Sequence, residues 1–168
     1  ATVIDADSIV HRLLESDSCM QNRIVARFGP KVRKPEGGID RQELGKLVFG
    51  DSGALLDLEQ LVHPGVRRWL DGYLETLPNH AVVVYDAVKL IESGQYRRAN
   101  SVWMVICHPQ EQERRLMEDR GLSREEARQR LQSQAPVEAR LALATVVVDN
   151  SGSLEDTQDQ VHEAWRRV

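Results

Sequence analysis

Polar side chains follow directly after three apolar runs, and their types suit the transfer of a phosphoryl group to an alcohol. Ligands of parallel sheets bind at the carboxyl ends of the strands, so residues at these positions are the first candidates for a site. A carboxylate there can accept the proton of a substrate hydroxyl, as the general base of such a transfer does. The candidates are Asp5 and Asp7 after TVI, Asp86, Lys89 and Glu92 after AVVVY, and Asp149, Asn150, Ser151 and Gly152 after TVVV.

Asp7 has two interpretations that do not exclude each other. It precedes the helical segment SIVHRLL, where an aspartate commonly caps the first turn through its side chain. It also lies just after a strand, where it can serve as the general base. The pattern of two aspartates separated by one residue does not distinguish between these roles.

A helical region is predicted from Arg41 to Trp69, with a junction between helices at His63 and Pro64. His63 is either a structural histidine or a ligand contact. Arg67 is either solvated or a phosphate contact, because a guanidinium group suits bidentate binding of phosphate oxygens. Whether Arg67 faces a pocket decides between its two roles.

An arginine-rich pair of helices is predicted within residues 120–144. One interpretation is a solvated face whose arginines pair with nearby glutamates on the same helix. The other is a mobile lid whose arginines close over the transferring phosphates. The sequence leaves both interpretations open.

Four short apolar runs without alternation are typical of strands that are buried on both faces. Helical segments separate these runs, so the order predicts an α/β fold with a mainly parallel sheet. We expect a single domain over residues 1–168. The predicted strands are Thr2–Ile4, Ala81–Asp86, Ser101–Cys107 and Thr145–Asp149.

Local signals mark the ends of several helices. Ser123 and Glu126 form a capping box, and Pro109 and Gly121 are typical of the first turn and the end of a helix. The segment between Gly29 and Gly38, GPKVRKPEGG, is predicted to be a long loop.

Composition limits the classes of partner. The net charge is −4, from 22 basic and 26 acidic residues, which argues against a general nucleic-acid binder or a membrane-surface binder. No apolar run approaches the roughly 20 residues of a membrane span, and no signal peptide is evident. Given this net charge, we expect a small-molecule partner. Cys19 and Cys107 lie far apart, and Cys107 lies in the apolar run SVWMVIC, so we expect reduced core thiols and a cytoplasmic location.

Several segments together resemble the dephospho-CoA kinases, which are P-loop kinases of the nucleoside-monophosphate kinase type. The resemblance covers essentially all 168 residues. It implies a parallel sheet flanked by helices, an acceptor-binding helical region within residues 8–80 and a lid within residues 120–144. It also implies transfer of the γ-phosphoryl group of ATP, with Mg²⁺, to the 3′-hydroxyl of dephospho-CoA. The segments are the DAD turn, FGP…GIDRQELGKLVFGD, LEQLVHPGVR, LMEDRGLSREEARQRLQSQAPVEAR and VVVDNSGSLEDTQDQV.

The resemblance also implies roles for individual residues. Asp7 resembles the general base near the ribose hydroxyl, with Asp5 beside it. Residues that resemble parts of the acceptor-binding region are Arg41, His63 and Arg67. Arg120 and Arg140, with Gln134 between them, resemble lid residues that approach the phosphates. Asn150, Ser151 and Gly152 resemble the loop beside the adenine.

Two features depart from the family pattern. DAVKLIE stands where the family commonly has a proline and leucines, so Lys89 is either an acceptor contact or an exposed lysine. The family also begins with a strand, a GxxxxGK[ST] loop and a helix before the DAD turn, and this sequence contains no such motif. Gly45 and Lys46 do not replace it, because Gly45 has no glycine five residues earlier and lies in a helical pattern.

Two hypotheses follow from the second departure. The first is a dephospho-CoA kinase whose N-terminal segment is missing from these residues; we then expect no efficient catalysis by the chain alone, because the P-loop positions the phosphates. A central strand would be missing as well, and unpaired strand edges attract a second copy or a partner strand. The second hypothesis is a non-catalytic remnant that binds the acceptor or a partner protein and associates with itself.

Overall fold

A computed structural model describes residues 1–132 and 136–167. The chain divides into two compact units, residues 1–88 and residues 89–168, which are described separately. Each unit contains two parallel strands together with α-helices. The expected α/β class with parallel strands flanked by helices is therefore confirmed.

Unit 1 contains one two-stranded sheet and four α-helices. Its strands pair in parallel, from Thr2 opposite Val83 to Asp5 opposite Asp86. The carboxyl ends of both strands therefore lie side by side. The elements are β1 Thr2–Asp5, α1 Ala6–Ser16, α2 Ser18–Phe28, a 3₁₀ helix Pro30–Val32, α3 Arg41–Val48, α4 Ser52–Leu74 and β2 Val83–Asp86.

The apolar faces of the four helices of unit 1 meet in one hydrophobic core. Gly65 allows α2 and α4 to approach closely, because a Cβ atom at this position would overlap the Met20 side chain. The buried core residues are Ile4, Ile9, Leu14, Met20, Ile24, Val32, Ile39, Leu44, Val48, Ala54, Val62, Val66 and Leu70.

The helix α4 continues through Pro64, so the predicted junction between helices at His63 and Pro64 is wrong. Proline lacks the N–H group that a helix interior uses, which favours a break. Here Val62 and Val66 on either side of Pro64 are buried in the core. Tertiary packing of an apolar face stabilises most helices in proteins, and it outweighs the local cost of this proline.

The segment between Gly29 and Gly38 is more ordered than the predicted long loop. It contains the 3₁₀ helix Pro30–Val32, and an antiparallel bridge joins Arg33 to Ile39. Val32 and Ile39 are fully buried, so burial of two apolar side chains holds this segment against the core.

Unit 2 contains a second two-stranded parallel sheet and further helices. Its strands pair from Trp103 opposite Val146 to Ile106 opposite Asp149. The elements are a 3₁₀ helix Gln95–Arg98, β3 Trp103–Ile106, α5 Pro109–Arg120, α6 Arg124–Gln132, α7 Val137–Leu141, β4 Val146–Asp149 and α8 Leu154–Trp165.

The predicted ends of α5 and α6 are confirmed. Pro109 is the first residue of α5, and Gly121 ends it with a left-handed φ of 65°. The Ser123 hydroxyl accepts a bond from the Glu126 N–H, and the Glu126 carboxylate accepts one from the Ser123 N–H. Both halves of the capping box are therefore formed.

The prediction that the strands are buried on both faces is wrong for the described residues. Val3 is 70% exposed and lies opposite Val84, which is also exposed, while Val105 is 59% exposed. Ile4 on the other face of β1 is buried in the core. One face of the β1–β2 sheet is thus covered by the helices of unit 1, and the opposite face is not. Each strand has four residues, so β2, β3 and β4 are shorter than predicted, whereas β1 extends one residue beyond its prediction, to Asp5.

Both cysteines are free thiols, as expected, but only one is partly buried. Cys19 is exposed and Cys107 is half-buried, so the prediction of two core thiols is wrong for Cys19. No helix in the described residues is long and apolar enough to cross a membrane.

Candidate active site

The N-cap of α1 is Asp5, so the prediction that Asp7 caps this helix is wrong. One carboxylate oxygen of Asp5 accepts the Asp7 N–H at 2.9 Å, and the other accepts the Ser8 hydroxyl at 2.6 Å. These bonds, foremost the one from Ser8, lower the pKa of Asp5. Asp5 caps because it already has the extended backbone of a strand end, whereas Asp7 has entered the helix.

Asp7 lies in the first turn of α1 and is exposed. Within residues 1–132 and 136–167, its carboxylate makes no hydrogen bond or ion pair. The same helix carries Ile9 and Leu14, which are buried in the core. The arrangement therefore presents a carboxylate with available lone pairs on a helix that is firmly anchored.

Asp86 stands opposite Asp5 at the carboxyl edge of the β1–β2 sheet. Both residues are exposed. Paired positions of neighbouring strands place their side chains close together, so the negative potential at this edge is stronger than one aspartate would produce. The sequence identifies Asp86 as a strand-end residue, but its partner is known only from the register.

The predicted acceptor-binding residues of unit 1 lie on α3 and α4. Arg41 is the exposed first residue of α3, whose N-cap Asp40 accepts the Gln42 N–H at 2.9 Å. His63 is half-buried and lies one helical turn before the exposed Arg67, on the same side of α4. Arg67 makes no hydrogen bond or ion pair to the described part of the chain. Its guanidinium group is therefore available to an anion.

The helix that carries Asp7 packs against the helix that carries His63 and Arg67. The Arg12 guanidinium of α1 lies 5.4 Å from the centroid of the Trp69 ring on α4. The Trp69 ring stacks on Tyr73 at 5.1 Å. This cation–π and stacking arrangement fixes α1 beside α4, so the candidate base and the candidate acceptor contacts belong to one packed pair of helices.

The predicted adenine loop, residues 150–152, connects β4 to α8. The Ser151 hydroxyl accepts the His108 N–H at 2.9 Å, and the Ser151 N–H donates to an Asp149 carboxylate oxygen at 2.9 Å. The Thr157 hydroxyl donates to the Asn150 side-chain oxygen at 3.1 Å. The bonds from Ser151, and the nearby His108, lower the pKa of Asp149. The loop is therefore held in one conformation by its own unit.

Two residues that hold this loop were not predicted. The Gln160 side chain accepts the Asp149 N–H at 2.9 Å and donates to the Asp149 carbonyl at 2.9 Å. The Gln160 side chain thereby bonds both backbone polar groups of Asp149 at the edge of β4 that does not face β3. Arg115 on α5 donates to the Asn150 carbonyl at 3.1 Å. A glutamate four residues before Arg115, at Glu111, is a sequence signal for a structured arginine, whereas Gln160 has no such signal.

Three of the remaining predicted residues, Lys89, Arg120 and Arg140, lie in unit 2. Arg120 is the exposed last residue of α5, and Lys89 is half-buried. Arg140 lies on α7 and is half-buried, with its Nε atom fully buried. Gln134 lies outside the described residues.

The predicted lid begins as a helical hairpin in which α6 is tied to α5. The Glu113 carboxylate of α5 pairs with Arg124 at 3.0 Å and with Arg128 at 3.4 Å. Ala127 of α6, which lies between these arginines in the sequence, is fully buried. A groove of about 420 Å³ runs along the hairpin and is lined by Gln110, Glu113, Arg114, Met117, Glu118, Arg124 and Arg128.

Comparison with known proteins gives a consistent family. The dephospho-CoA kinase (CoaE) family model matches residues 1–156. A dephospho-CoA kinase of Geobacter sulfurreducens is 39% identical over 99% of this chain and 86% of that protein. A dephospho-CoA kinase of Symbiobacterium thermophilum is 41% identical over 99% of this chain and 70% of that protein.

Solved structures agree with the sequence comparisons. A crystal structure of TT1252 from Thermus thermophilus matches with a TM-score of 0.79 and 33% identity, over 99% of this chain and 84% of that one. A dephospho-CoA kinase from Campylobacter jejuni matches with a TM-score of 0.68 and 28% identity, over 99% of this chain and 84% of that one. Family and fold are therefore assigned by independent comparisons.

Proposed function

The chain belongs to the dephospho-CoA kinase family, and from this premise we propose that it acts in the transfer of the ATP γ-phosphoryl group to the 3′-hydroxyl of dephospho-CoA. The products are ADP and CoA, and the reaction is the last step of CoA synthesis. The observation that carries the proposal within the site is the available carboxylate of Asp7.

Asp7 is the general base of the proposed reaction. It accepts the proton of the 3′-hydroxyl while the oxygen of that hydroxyl forms its bond to the γ-phosphorus and the bond to ADP breaks. Asp5 does not compete for this role, because both of its oxygens are engaged at the helix cap. Asp5 instead holds the first turn of α1, and therefore Asp7, in place.

The other site residues have binding roles in this proposal. Phosphates of the acceptor are bound by the acceptor-region side chains Arg41, His63 and Arg67, and an anionic group of the acceptor contacts Lys89. Arg120, Gln134 and Arg140 belong to the lid, where Arg140 stabilises the charge of the transferring phosphoryl group. Asn150, Ser151 and Gly152 lie beside the adenine of the MgATP cosubstrate.

The proposal includes a clear expectation for the 168-residue polypeptide by itself. The sequence contains no GxxxxGK[ST] motif, whose backbone amides and lysine hold the β and γ phosphates in P-loop kinases. Positioning and electrostatic stabilisation account for most of the catalysis of phosphoryl transfer. We therefore expect calorimetry with MgATP to detect no binding to this polypeptide. Micromolar affinity would reveal a phosphate site outside that motif.

The test of the function uses the full-length gene product that contains these residues. MgATP and dephospho-CoA are supplied, and formation of CoA is followed by mass spectrometry and by coupled release of ADP. We expect stoichiometric CoA and ADP. ADP release without CoA, or phosphorylation at another position of the acceptor, would contradict the proposed reaction.

A further inference from the structure

Arg115 joins helix α5 to the first residue of the loop at residues 150–152. Its Nε donates to a Glu111 carboxylate oxygen at 2.8 Å, and an Nη donates to the Asn150 carbonyl at 3.1 Å. The side chain is 32% exposed, less than the neighbouring Arg114 at 50%. Because Glu111 orients the guanidinium group, the second bond has a fixed direction.

The two polar atoms of a single peptide group are fixed as a result. The carbonyl of Asn150 and the N–H of Ser151 belong to the same planar peptide unit. Arg115 binds the carbonyl, and the Asp149 carboxylate accepts the N–H at 2.9 Å. The plane of this peptide, and hence the direction in which the chain enters Ser151 and Gly152, is set from both sides.

The start of α5 is itself tied to the neighbouring strand end. The Gln112 side chain donates to the Cys107 carbonyl at 2.6 Å, and the His108 N–H donates to the Ser151 hydroxyl at 2.9 Å. Helix α5 thus has fixed contacts with the ends of both β3 and β4. Arg115 therefore connects the loop to a helix that is itself held in place.

We propose that Arg115 is a positioning residue for the loop that recognises the nucleotide base, a role that rests on the proposed kinase function. It acts through the 150–151 peptide and touches neither the acceptor nor the transferring phosphoryl group. Loss of the guanidinium group raises the KM for MgATP and weakens discrimination between ATP and GTP. It leaves the KM for dephospho-CoA unchanged.

Arg114 provides a matched control on the same helix. It also donates to the Glu111 carboxylate, and it pairs with Glu118, but it has no bond to the loop in the described residues. Arg114→Met therefore removes an arginine and a Glu111 contact without disturbing the 150–151 peptide. Arg115→Lys is the conservative variant, since a lysine keeps the charge but not the two fixed directions.

The experiment measures steady-state kinetics of the full-length gene product with either substrate varied. For Arg115→Met we expect the KM for MgATP to rise roughly 5- to 20-fold, the size of a lost charge-assisted hydrogen bond. The KM for dephospho-CoA and kcat should stay within about twofold, and the preference for ATP over GTP should fall. Arg115→Lys should lie between the wild type and Arg115→Met. Arg114→Met should behave as the wild type.

Hydrogen exchange of residues 149–152 without nucleotide supplies a readout of the loop itself. Exchange should be faster in Arg115→Met than in Arg114→Met, with both variants shown to be folded by their thermal melts. An active protein whose Arg115→Met variant keeps its KM for MgATP, or whose two variants change equally, would overturn the positioning role while the proposed function stands. A wild-type protein that makes no CoA would overturn the proposed function and this role with it.

Discussion

The two units of the molecule are stabilised in different ways. Unit 1 buries a continuous set of apolar side chains from β1 and all four of its helices. In unit 2, the buried apolar residues among those described are Val102, Ala127 and Val148. Its strand ends and loops are held instead by directed polar contacts such as those of Arg115 and Gln160.

This difference suits the roles proposed for the two units. Apolar packing is strong but does not fix the direction of individual polar atoms, so it suits the support of a catalytic side chain at the start of a helix. Hydrogen bonds and ion pairs are directional and depend on salt. They can hold a loop beside a nucleotide and can release a lid. We expect mutations to affect unit 1 through packing and unit 2 through specific polar contacts.

The largest effect is expected for Asp7→Asn in the full-length gene product. Asparagine cannot accept the hydroxyl proton as a carboxylate does, so kcat should fall roughly 10²- to 10⁴-fold. The KM for dephospho-CoA and the melting temperature should change little, because Ile9 and Leu14, which anchor α1 in the core, are unchanged. Coupled ADP release with saturating acceptor measures the change.

Asp17→Asn is the control for this substitution. Asp17 caps α2 by accepting the Met20 N–H at 2.9 Å, and asparagine caps about as well as aspartate. Turnover of this variant should match the wild type. Full turnover in Asp7→Asn would remove Asp7 from the role of base.

A matched pair of valine substitutions compares the packing of the two units. Val32 in unit 1 is 0% exposed and Val148 in unit 2 is 1% exposed. Substitution by alanine therefore removes the same atoms from two side chains that are equally buried. We expect Val32→Ala to lower the free energy of unfolding by roughly 1.5–3 kcal/mol, from the lost burial and the cavity that remains. Val148→Ala should cost less, because the described part of unit 2 contains few buried apolar residues besides Val148. Urea denaturation measures both.

Equal losses in the two valine variants would contradict the proposed difference in packing. Exchange of backbone amides in each unit would then show whether both losses are global. A larger loss in Val148→Ala would mean that the small apolar cluster of unit 2 is its main source of stability.

Sequence signals predicted those elements whose ends depend on nearby residues. Ser123 with Glu126, and Pro109 with Gly121, mark helix ends through contacts within a few positions, and the structure confirms them. Pro64 was misinterpreted because the burial of Val62 and Val66, which the local pattern does not show, keeps α4 continuous.

Site residues could be predicted from the sequence where their type and their position after a strand were enough to identify them. Asp5 and Asp7 were identified together, but which of them caps α1 depends on where β1 ends. Arg115 and Gln160 were missed because their partners lie 35 and 11 residues away. Cytoplasmic location, self-association and the single-domain organisation stay predictions.

A smaller effect is expected for Gln160→Met, which tests the polar support of unit 2. The substitution keeps the length of the side chain but removes both bonds to the Asp149 backbone. Two partly exposed hydrogen bonds contribute modestly, so we expect a loss of about 1 kcal/mol in the free energy of unfolding. The Asp149 amide should exchange faster. Gln158→Met, at an exposed position of the same helix, should change neither quantity.

The smallest effect is expected for Glu113→Gln, which removes the carboxylate that Arg124 and Arg128 share. Partly exposed ion pairs contribute roughly 0.2–1 kcal/mol each, and glutamine retains one hydrogen-bond acceptor. Global stability should therefore change by under about 1 kcal/mol. Exchange in α6 should increase at low salt and should approach that of the wild type in about 1 M NaCl, where charges are screened over a few ångströms.

Asp57→Asn in unit 1 supplies the comparison for Glu113→Gln. Asp57 on α4 pairs with Arg27 on α2 at 2.6 Å, but these two helices also share the apolar core. The spacing of α2 and α4 is thus set by packing, and exchange in α2 should hardly respond to Asp57→Asn or to salt. A response in α2 as large as that in α6 would mean that ion pairs hold both units alike, and the contrast between an apolar and a polar unit would fail.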